Sequence, residues 1–421
     1  MLELVAPPLS LYVHFPWCVQ KCPYCDFNSY TLHGELAEDR YVAALESDLE
    51  AQAGEVRGRG VNTIFMGGGT PSLFPPRAIE RVLEAARRHL SVTPDAEVTL
   101  EANPGTIERG RFEEYRAAGI TRVSLGAQSF DDGQLKALGR IHSSDETRRA
   151  ASELHAAGLQ NFNLDLMYSL SAQDVSAALR DVEQALALQP AHISHYQLTI
   201  EPGTVFAGRP PALPDDDTAA EMLAVCRDRL AASGFSQYEV SAYALAGRQC
   251  RHNLNYWMFG DYVGIGAGAH GKLTLPESAH AAGSIVRTQQ VREPRRYLAN
   301  ATGQLARRIV ARDDLPFEFM LNALRLVDGF DTFLFCERTG LEWDEVAVRV
   351  NDLTARGLLQ RTGSRCRPSP RGLQFLNDVL LRFLEETPQR TGSFGLSTAL
   401  SALAAGAPAA LYTGSDPLVV K

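Results

Sequence analysis

The chain has 421 residues, 45% of them hydrophobic and 22% charged, with a formal net charge of −9. That length suits one large domain with a smaller companion, and that apolar share supports a sizeable core without disulfides or structural metals. The acidic balance argues against a broad nucleic-acid footprint, which needs clustered Lys and Arg to displace counterions.

No secretory pattern opens the chain: Met1 to Pro8 carries Glu3 and two prolines and lacks a basic start followed by an apolar run, so a cytoplasmic protein is expected. Short β-rich runs then recur at Leu9–Phe15, Val61–Met66, Glu97–Glu101, Arg122–Gly126, Asn161–Met167 and Ile193–Ile200. Between them Glu38–Glu50, Pro76–Leu90, Glu108–Ala117, Glu146–Ala157 and Ala177–Leu188 carry apolar residues at helical spacing. Such alternation predicts a parallel sheet. The unusual residues fall at or just past the strand ends. The cysteine loop follows the first strand, Gly67-Gly68-Gly69 the second, Glu101-Ala102-Asn103-Pro104 closes the third, Gln128 follows the fourth and Asp165 lies in the fifth. A ring of such positions is the active face of a barrel, whereas a doubly wound sheet would place its ligand at one switch point. The predicted fold is therefore α/β, a partial (β/α)6 TIM-like barrel over residues 1–297.

Past Leu298 helical patterns take over at Pro316–Val327, Trp343–Arg356 and Leu373–Leu384, with a hairpin-like stretch at Gly357–Pro368. They predict a smaller, mainly helical, winged-helix-like unit over 298–385. Between Arg390 and Asp416 no residue is charged, a length that could cross a bilayer. Its Ala, Gly, Ser and Thr content, broken by Gly406 and Pro408, instead reads 386–421 as a weakly structured tail, with membrane contact peripheral at most.

Seven cysteines are present, and Cys18, Cys22 and Cys25 crowd into one C-x3-C-x2-C loop. Three thiolates there can reach three corners of a cubane, whereas an electron-transfer ferredoxin uses four per cluster and the next cysteine is Cys226. One iron is left open, and an open iron that chelates an amine and a carboxylate is what reductive cleavage of S-adenosylmethionine requires. Structural zinc wants a fourth ligand, and nearby His14 sits within a strand. A thioredoxin-like pair would ignore Cys18, and c-type haem attachment needs His where Asp26 stands. Gly67-Gly68-Gly69-Thr70 is not a Walker loop, but consecutive glycines bring backbone close to a ligand and offer N–H and C=O groups. Farther on, Cys250-Arg-His252-Asn253-Leu-Asn-Tyr256-Trp257 packs a histidine, an amide and two aromatics ahead of the Gly-rich run Gly264–Gly271. Such a cluster can cover a flat ring, and neutral imidazole is a common axial ligand of haem iron. From composition alone a structural histidine is the simpler account of His252.

With Tyr24 before the last cysteine and Gly67-Gly68-Gly69-Thr70-Pro71 downstream, the chain resembles the radical-SAM superfamily. Over residues 9–385 it resembles that superfamily's oxygen-independent coproporphyrinogen III dehydrogenase group. The resemblance implies a 4Fe–4S cluster on Cys18, Cys22 and Cys25, with Tyr12 and Tyr24 beside it. It also implies S-adenosyl-L-methionine, with Gly68, Gly69 and Thr70 on the methionyl group and Glu101, Gln128, Arg140 and Asp165 around the cofactor. The chemistry is compatible, since the carboxylates can accept from ammonium or ribose hydroxyls and Arg140 can pair with the methionyl carboxylate. Each alone would equally suit a structural charge, and Gln128 could simply satisfy buried backbone.

The H-N-x-x-Y-W pattern resembles the heme-chaperone branch of the group rather than the dehydrogenase, which implies His252 as a heme ligand, with Cys250 and His270 as weaker alternatives. Phe27 stands where the dehydrogenase has a further cysteine, and only seventeen residues precede Cys18, short of the N-terminal segment the dehydrogenase lays over its site. The expected function is that of a heme chaperone serving acceptor haem proteins, respiratory ones among them, with no nucleic-acid partner and room for a homodimer. The competing expectation is a radical enzyme whose deoxyadenosyl radical drives oxidative decarboxylation of coproporphyrinogen III propionates. A purely redox or structural iron–sulfur protein would leave the glycine loop and strand-end carboxylates without purpose.

Overall fold

A computed structural model describes residues 3–105, 111–276 and 283–384. The tail expected at 386–421 and the first turn of the helix expected at Glu108–Ala117 lie outside the described residues. Six parallel strands, β1 (Leu9–Phe15), β2 (Gly60–Gly68), β3 (Ser91–Ala102), β4 (Arg122–Gln128), β5 (Phe162–Tyr168) and β6 (His192–Gln197), lie side by side in chain order. Alternation sorts their side chains: β1 sends Leu11, Val13 and Phe15 into the apolar core, leaving Ser10, Tyr12 and His14 for the opposite face. The crossover helices carry their own start and stop signals. Helix Pro76–His89 opens on proline, buries Ile79, Val82, Leu83 and Ala86, and ends on Arg87, Arg88 and His89, which complement its dipole. Helix Ser144–Ala156 begins with a capping box between Ser143 and Glu146.

The sheet then continues beyond what the periodicity predicts, through β7 (Ser236–Glu239), β8 (Ala242–Ala244), β9 (Asp261–Ile265), β10 (His270–Leu275), β11 (Ser284–Gln289) and β12 (Ala306–Ile309). Its order is β12-β11-β10-β9-β1-β2-β3-β4-β5-β6-β8-β7, and its two ends do not pair among the described residues, so the barrel is open. β9 runs parallel to β1, while β10, β11 and β12 are antiparallel neighbours, which need no βαβ crossover, so no regular strand–helix rhythm announces them. The Gly-rich run serves this crossing: a Cβ on Gly264 would stand 1.8 Å from the His270 carbonyl oxygen.

The C-terminal unit sets helices Leu315–Ala323, Thr332–Thr339 and Asp344–Ala355 against a small sheet of β13 (Phe330–Asp331), β15 (Arg365–Pro368) and β14 (Leu359–Thr362), a winged-helix arrangement. Its core is continuous with the sheet extension, since Phe319 meets Phe259, Phe330 and Phe335 edge-on with ring centroids 5.7, 5.0 and 5.2 Å apart. Arg287–Glu318 at 2.8 Å and Arg325–Glu239 at 2.9 Å tie the same junction, each on a buried carboxylate.

Candidate functional site

The rim is built where the parallel strands end. After β1, Trp17–Cys18 pairs in parallel with Tyr30–Thr31, which closes the base of the cysteine loop, and the Cys25 N–H donates to the Cys22 carbonyl at 3.1 Å. All three thiols are free and half-buried. Cys22 Sγ lies 3.7 Å from Arg140 Nη1, and Cys25 Sγ lies 3.7 Å from Ser29 Oγ. Burial pushes the Cys18 thiol up to about 11 against the pull of a Thr70 hydrogen bond, so its thiolate wants a cationic partner. Among the described residues no three His, Cys, Asp or Glu side chains could hold one metal ion between them. A cubane asks for something different, because each thiolate caps its own iron.

The glycine loop corrects one expectation. Its N–H groups are not on offer: Gly68 donates to Glu101 Oε2 at 3.1 Å, Gly69 to the Phe15 carbonyl at 2.7 Å and Thr70 to the Trp17 carbonyl at 2.7 Å. They stitch the loop to the exit of β1, and glycine is required because the two backbones nearly touch. A Cβ on Gly69 would stand 2.5 Å from the Trp17 carbonyl oxygen, and one on Gly68, whose φ is 114°, would stand 2.4 Å from His14 Cε1. His14 is itself pinned. Its Nε2 donates to the Asn28 carbonyl at 2.9 Å, so Nδ1 accepts from the Tyr12 hydroxyl at 3.0 Å, and burial lowers its pKa to about 4.

Across the rim, Arg140 Nη2 donates to Asn103 Oδ1 at 2.5 Å and to the Gly126 carbonyl at 2.8 Å. Burial works against the Arg140 charge, but Tyr24 and the Cys22 sulfur outweigh it and hold the guanidinium protonated. A Cβ on Gly126 would meet Asn103 Oδ1 at 2.9 Å, Gln128 Nε2 at 3.1 Å and Arg140 Nη2 at 3.2 Å, so three polar side chains converge on one bare backbone. Gln128 holds a φ of 67°, a left-handed conformation that costs a non-glycine residue about 1–3 kcal/mol, and accepts from the Tyr196 hydroxyl at 2.6 Å. Asn103 also donates to Thr70 Oγ1 at 2.8 Å, joining the two halves of the rim. Asp165 is buried, accepting from Asn163 Nδ2 at 2.9 Å and Ser124 Oγ at 3.3 Å. Tyr24 packs beside Phe206 with ring centroids 6.4 Å apart. Tyr196 and His14 had no rim role in the sequence, and Asn103 entered only as part of the Glu101–Pro104 strand end. Their signal was position alone: Asn103 lies two residues past Glu101, and Tyr196 lies near the end of a strand.

His252 is not on this rim. It sits on helix Arg251–Trp257 beside Ser10, Thr63 and Glu97, which share a register four residues back from His14 and Gly67, about 13 Å along the strands. The ring is fully buried, with the Phe65 and Tyr256 rings 5.1 and 4.9 Å away. Its Nδ1 lies 2.9 Å from Thr63 Oγ1, and that hydroxyl gives its proton to Ser10 Oγ at 2.7 Å. Thr63 must therefore accept, which places the imidazole proton on Nδ1 and a bare lone pair on Nε2. Nε2 has no hydrogen-bond partner among the described residues, and burial lowers the His252 pKa to about 3, so the ring is neutral. Around it Glu97 Oε1 accepts from the His252 N–H at 3.2 Å and from Cys250 Sγ at 3.6 Å, and Asn255 Nδ2 donates to Ser10 Oγ at 2.8 Å. Trp257 lies under the Arg325 guanidinium at 4.3 Å. His270 is half-buried on β10, its pKa lowered to about 3 by burial.

Residues 12–182 match the Radical SAM superfamily and residues 310–375 the HemN C-terminal domain, which defines the class: a radical-SAM barrel followed by a HemN-type C-terminal unit. The fold is shared with coproporphyrinogen III oxidase (HemN) from Escherichia coli, a radical SAM enzyme, at a TM-score of 0.75 and 22% identity over 90% of each chain. Among curated proteins, the Heme chaperone HemW of Escherichia coli is 48% identical over 90% of this chain and 99% of its own length. The protein of the same name from Mycobacterium tuberculosis is 38% identical over 90% of this chain and 95% of its own. The chain belongs to the heme chaperone HemW family.

Proposed function

We propose that this protein is a heme chaperone that carries a 4Fe–4S cluster with S-adenosylmethionine at the barrel rim, binds heme through His252 and passes it to acceptor haem proteins. The observation that carries the reading is the unpartnered Nε2 of His252, a neutral imidazole lone pair held in the H-N-x-x-Y-W segment of a chain whose relatives are named heme chaperones. An orphaned acceptor inside a hydrogen-bonded network is the donor that haem iron takes. The ring is enclosed, so a flat macrocycle has to displace Phe65 or Tyr256 to reach it.

At the rim, Cys18, Cys22 and Cys25 supply the three thiolates. When bound, the cluster provides an electron and an open iron for the amine and carboxylate of S-adenosylmethionine. Because the glycine-loop N–H groups are taken, a methionyl ammonium meets carbonyl oxygens there and the carboxylate of Glu101. Arg140 offers charge to the methionyl carboxylate while it neutralises the Cys22 thiolate. Gln128 and Asp165 present amide and carboxylate groups to ribose hydroxyls, and Tyr12 and Tyr24 flank the cluster.

Anaerobic titration of heme into cluster-reconstituted protein tests the reading, with His252→Ala run in parallel. A saturable Soret band that weakens in the variant is expected. An undiminished band in His252→Ala would move the ligand to Cys250 or His270. No specific band at all would move the reading to the radical enzyme acting on coproporphyrinogen III.

A further inference from the structure

The acidic chain contains one strongly basic stretch that neither the rim nor the barrel floor uses. From Leu353 to Asn377 there are five arginines, Arg356, Arg361, Arg365, Arg367 and Arg371, and no Asp, Glu, Lys or His, against a net charge of −9 for the whole. All five are exposed. Arg356 is paired with Asp352 at 2.9 Å, but none of the other four makes an ion pair among the described residues. Arg361 lies over the Trp343 ring at 5.6 Å, Arg365 donates to the Asp328 and Gly329 carbonyls, and Arg367 donates to Gln360. These contacts orient the guanidinium groups without setting a carboxylate at ion-pair distance from them.

The pairing of Gln360 with Arg367 and of Thr362 with Arg365 puts all four side chains on one face of the wing, opposite buried Cys366. Beside its tip stands Phe333, 74% exposed, because the Thr332 N–H is tied to the Ser364 carbonyl at 2.8 Å. Asp331, cross-strand from Arg365 and within reach of its charge, accepts from the Ser364 hydroxyl at 2.5 Å and the Phe333 N–H at 2.9 Å.

We propose that the wing docks this protein on an anionic lipid surface, with Arg365, Arg367 and Arg371 against the headgroups and Phe333 at the interface. An exposed aromatic beside an arginine-bearing hairpin is an interfacial pattern, each arginine adding attraction to anionic headgroups. Duplex nucleic acid fits less well. The helix before the wing, which would enter a groove, carries Asp344, Glu345 and Asp352 against a single Arg349. The acidic remainder of the chain is repelled by the same surface, which orients the protein wing-down.

The test is flotation of the full chain with vesicles of phosphatidylcholine alone or with about a third phosphatidylglycerol, at low and at about 0.5 M salt. Binding is expected only to the anionic vesicles and is lost in high salt. Joint replacement Arg365→Gln, Arg367→Gln and Arg371→Gln should weaken it on the order of a hundredfold, and Phe333→Ser by a smaller factor. Circular dichroism of these exposed-site variants separates misfolding from lost docking. Equal binding to both vesicle types, full binding by the triple variant, or binding to a DNA duplex in place of vesicles overturns the proposal.

Discussion

The two ends of the barrel use the same strands in opposite ways. At the rim, polar side chains converge across backbone that only glycine or the left-handed Gln128 permits. At the floor, helix Arg251–Trp257 packs over the strand starts, with Ser10 Oγ accepting from Thr63 and Asn255 and Glu97 accepting from the His252 N–H. Polar groups left facing a rim are ordinary, because a cofactor finishes them. Among the described residues the floor helix leaves two nitrogens without a hydrogen-bond partner, His252 Nε2 and Trp257 Nε1, and of these two only the imidazole lone pair can ligate iron.

The largest effect should come from Cys22→Ala, which removes one corner of the cluster site and the sulfur that Arg140 faces. The iron–sulfur absorbance and protein-bound iron of the reconstituted protein should be lost, while the heme titration keeps its Soret band. Loss of both signals would break the comparison, since the ends would then act as one site. Next is Gly68→Ala, whose methyl meets a His14 ring held from both sides by Tyr12 and Asn28. With a positive φ as well, the expected cost is roughly 2–4 kcal/mol, read as a lower denaturant midpoint at unchanged slope together with lost S-adenosylmethionine binding.

Acid should expose the enclosed interior. Burial holds His195 at about 4 and His252 at about 3, below the ordinary 6.5. Between those values and 6.5 the unfolded chain binds more protons than the folded one. Each ring's stabilisation is therefore complete above pH 6.5 and falls as pH drops toward 4 and 3, by on the order of 1–2 kcal/mol apiece between pH 7 and pH 5. No histidine follows His280, so the winged unit has no such acid response of its own. Urea midpoints at the two pH values check this, and His195→Gln should remove its share of the slope. An unchanged slope would mean that the ring is not neutral in the folded state.

The rim was legible because its parts are local. C-x3-C-x2-C, three glycines and a carboxylate at a strand end each occupy a few consecutive residues, and the strand–helix rhythm assigns them to one face. The extension β9 to β12 was not, since its short, mostly antiparallel strands lack that rhythm and nothing in the Gly264–Gly271 run announces the backbone crossing it serves. The floor was readable only through family resemblance. Ser10, Thr63 and His252 are far apart in sequence, and nothing in the spacing of a serine and a threonine on separate strands announces that they set a histidine's proton.

That proton gives the finest test. Thr63 accepts from His252 Nδ1 only because its own hydrogen goes to Ser10, so Thr63→Val deletes the acceptor while leaving shape nearly unchanged. Without it nothing favours the tautomer with a free Nε2, and removing such a supporting bond from a metal-binding imidazole typically costs 10- to 100-fold in affinity. Heme binding is expected at the low end, about tenfold weaker, with Thr63→Ser retaining wild-type behaviour because its hydroxyl can repeat both bonds. Nitrogen NMR of His252 in the heme-free protein reports the tautomer directly. A Thr63→Val protein that keeps its proton on Nδ1 and its heme affinity would show that the closed floor, rather than the Thr63 bond, fixes the ring.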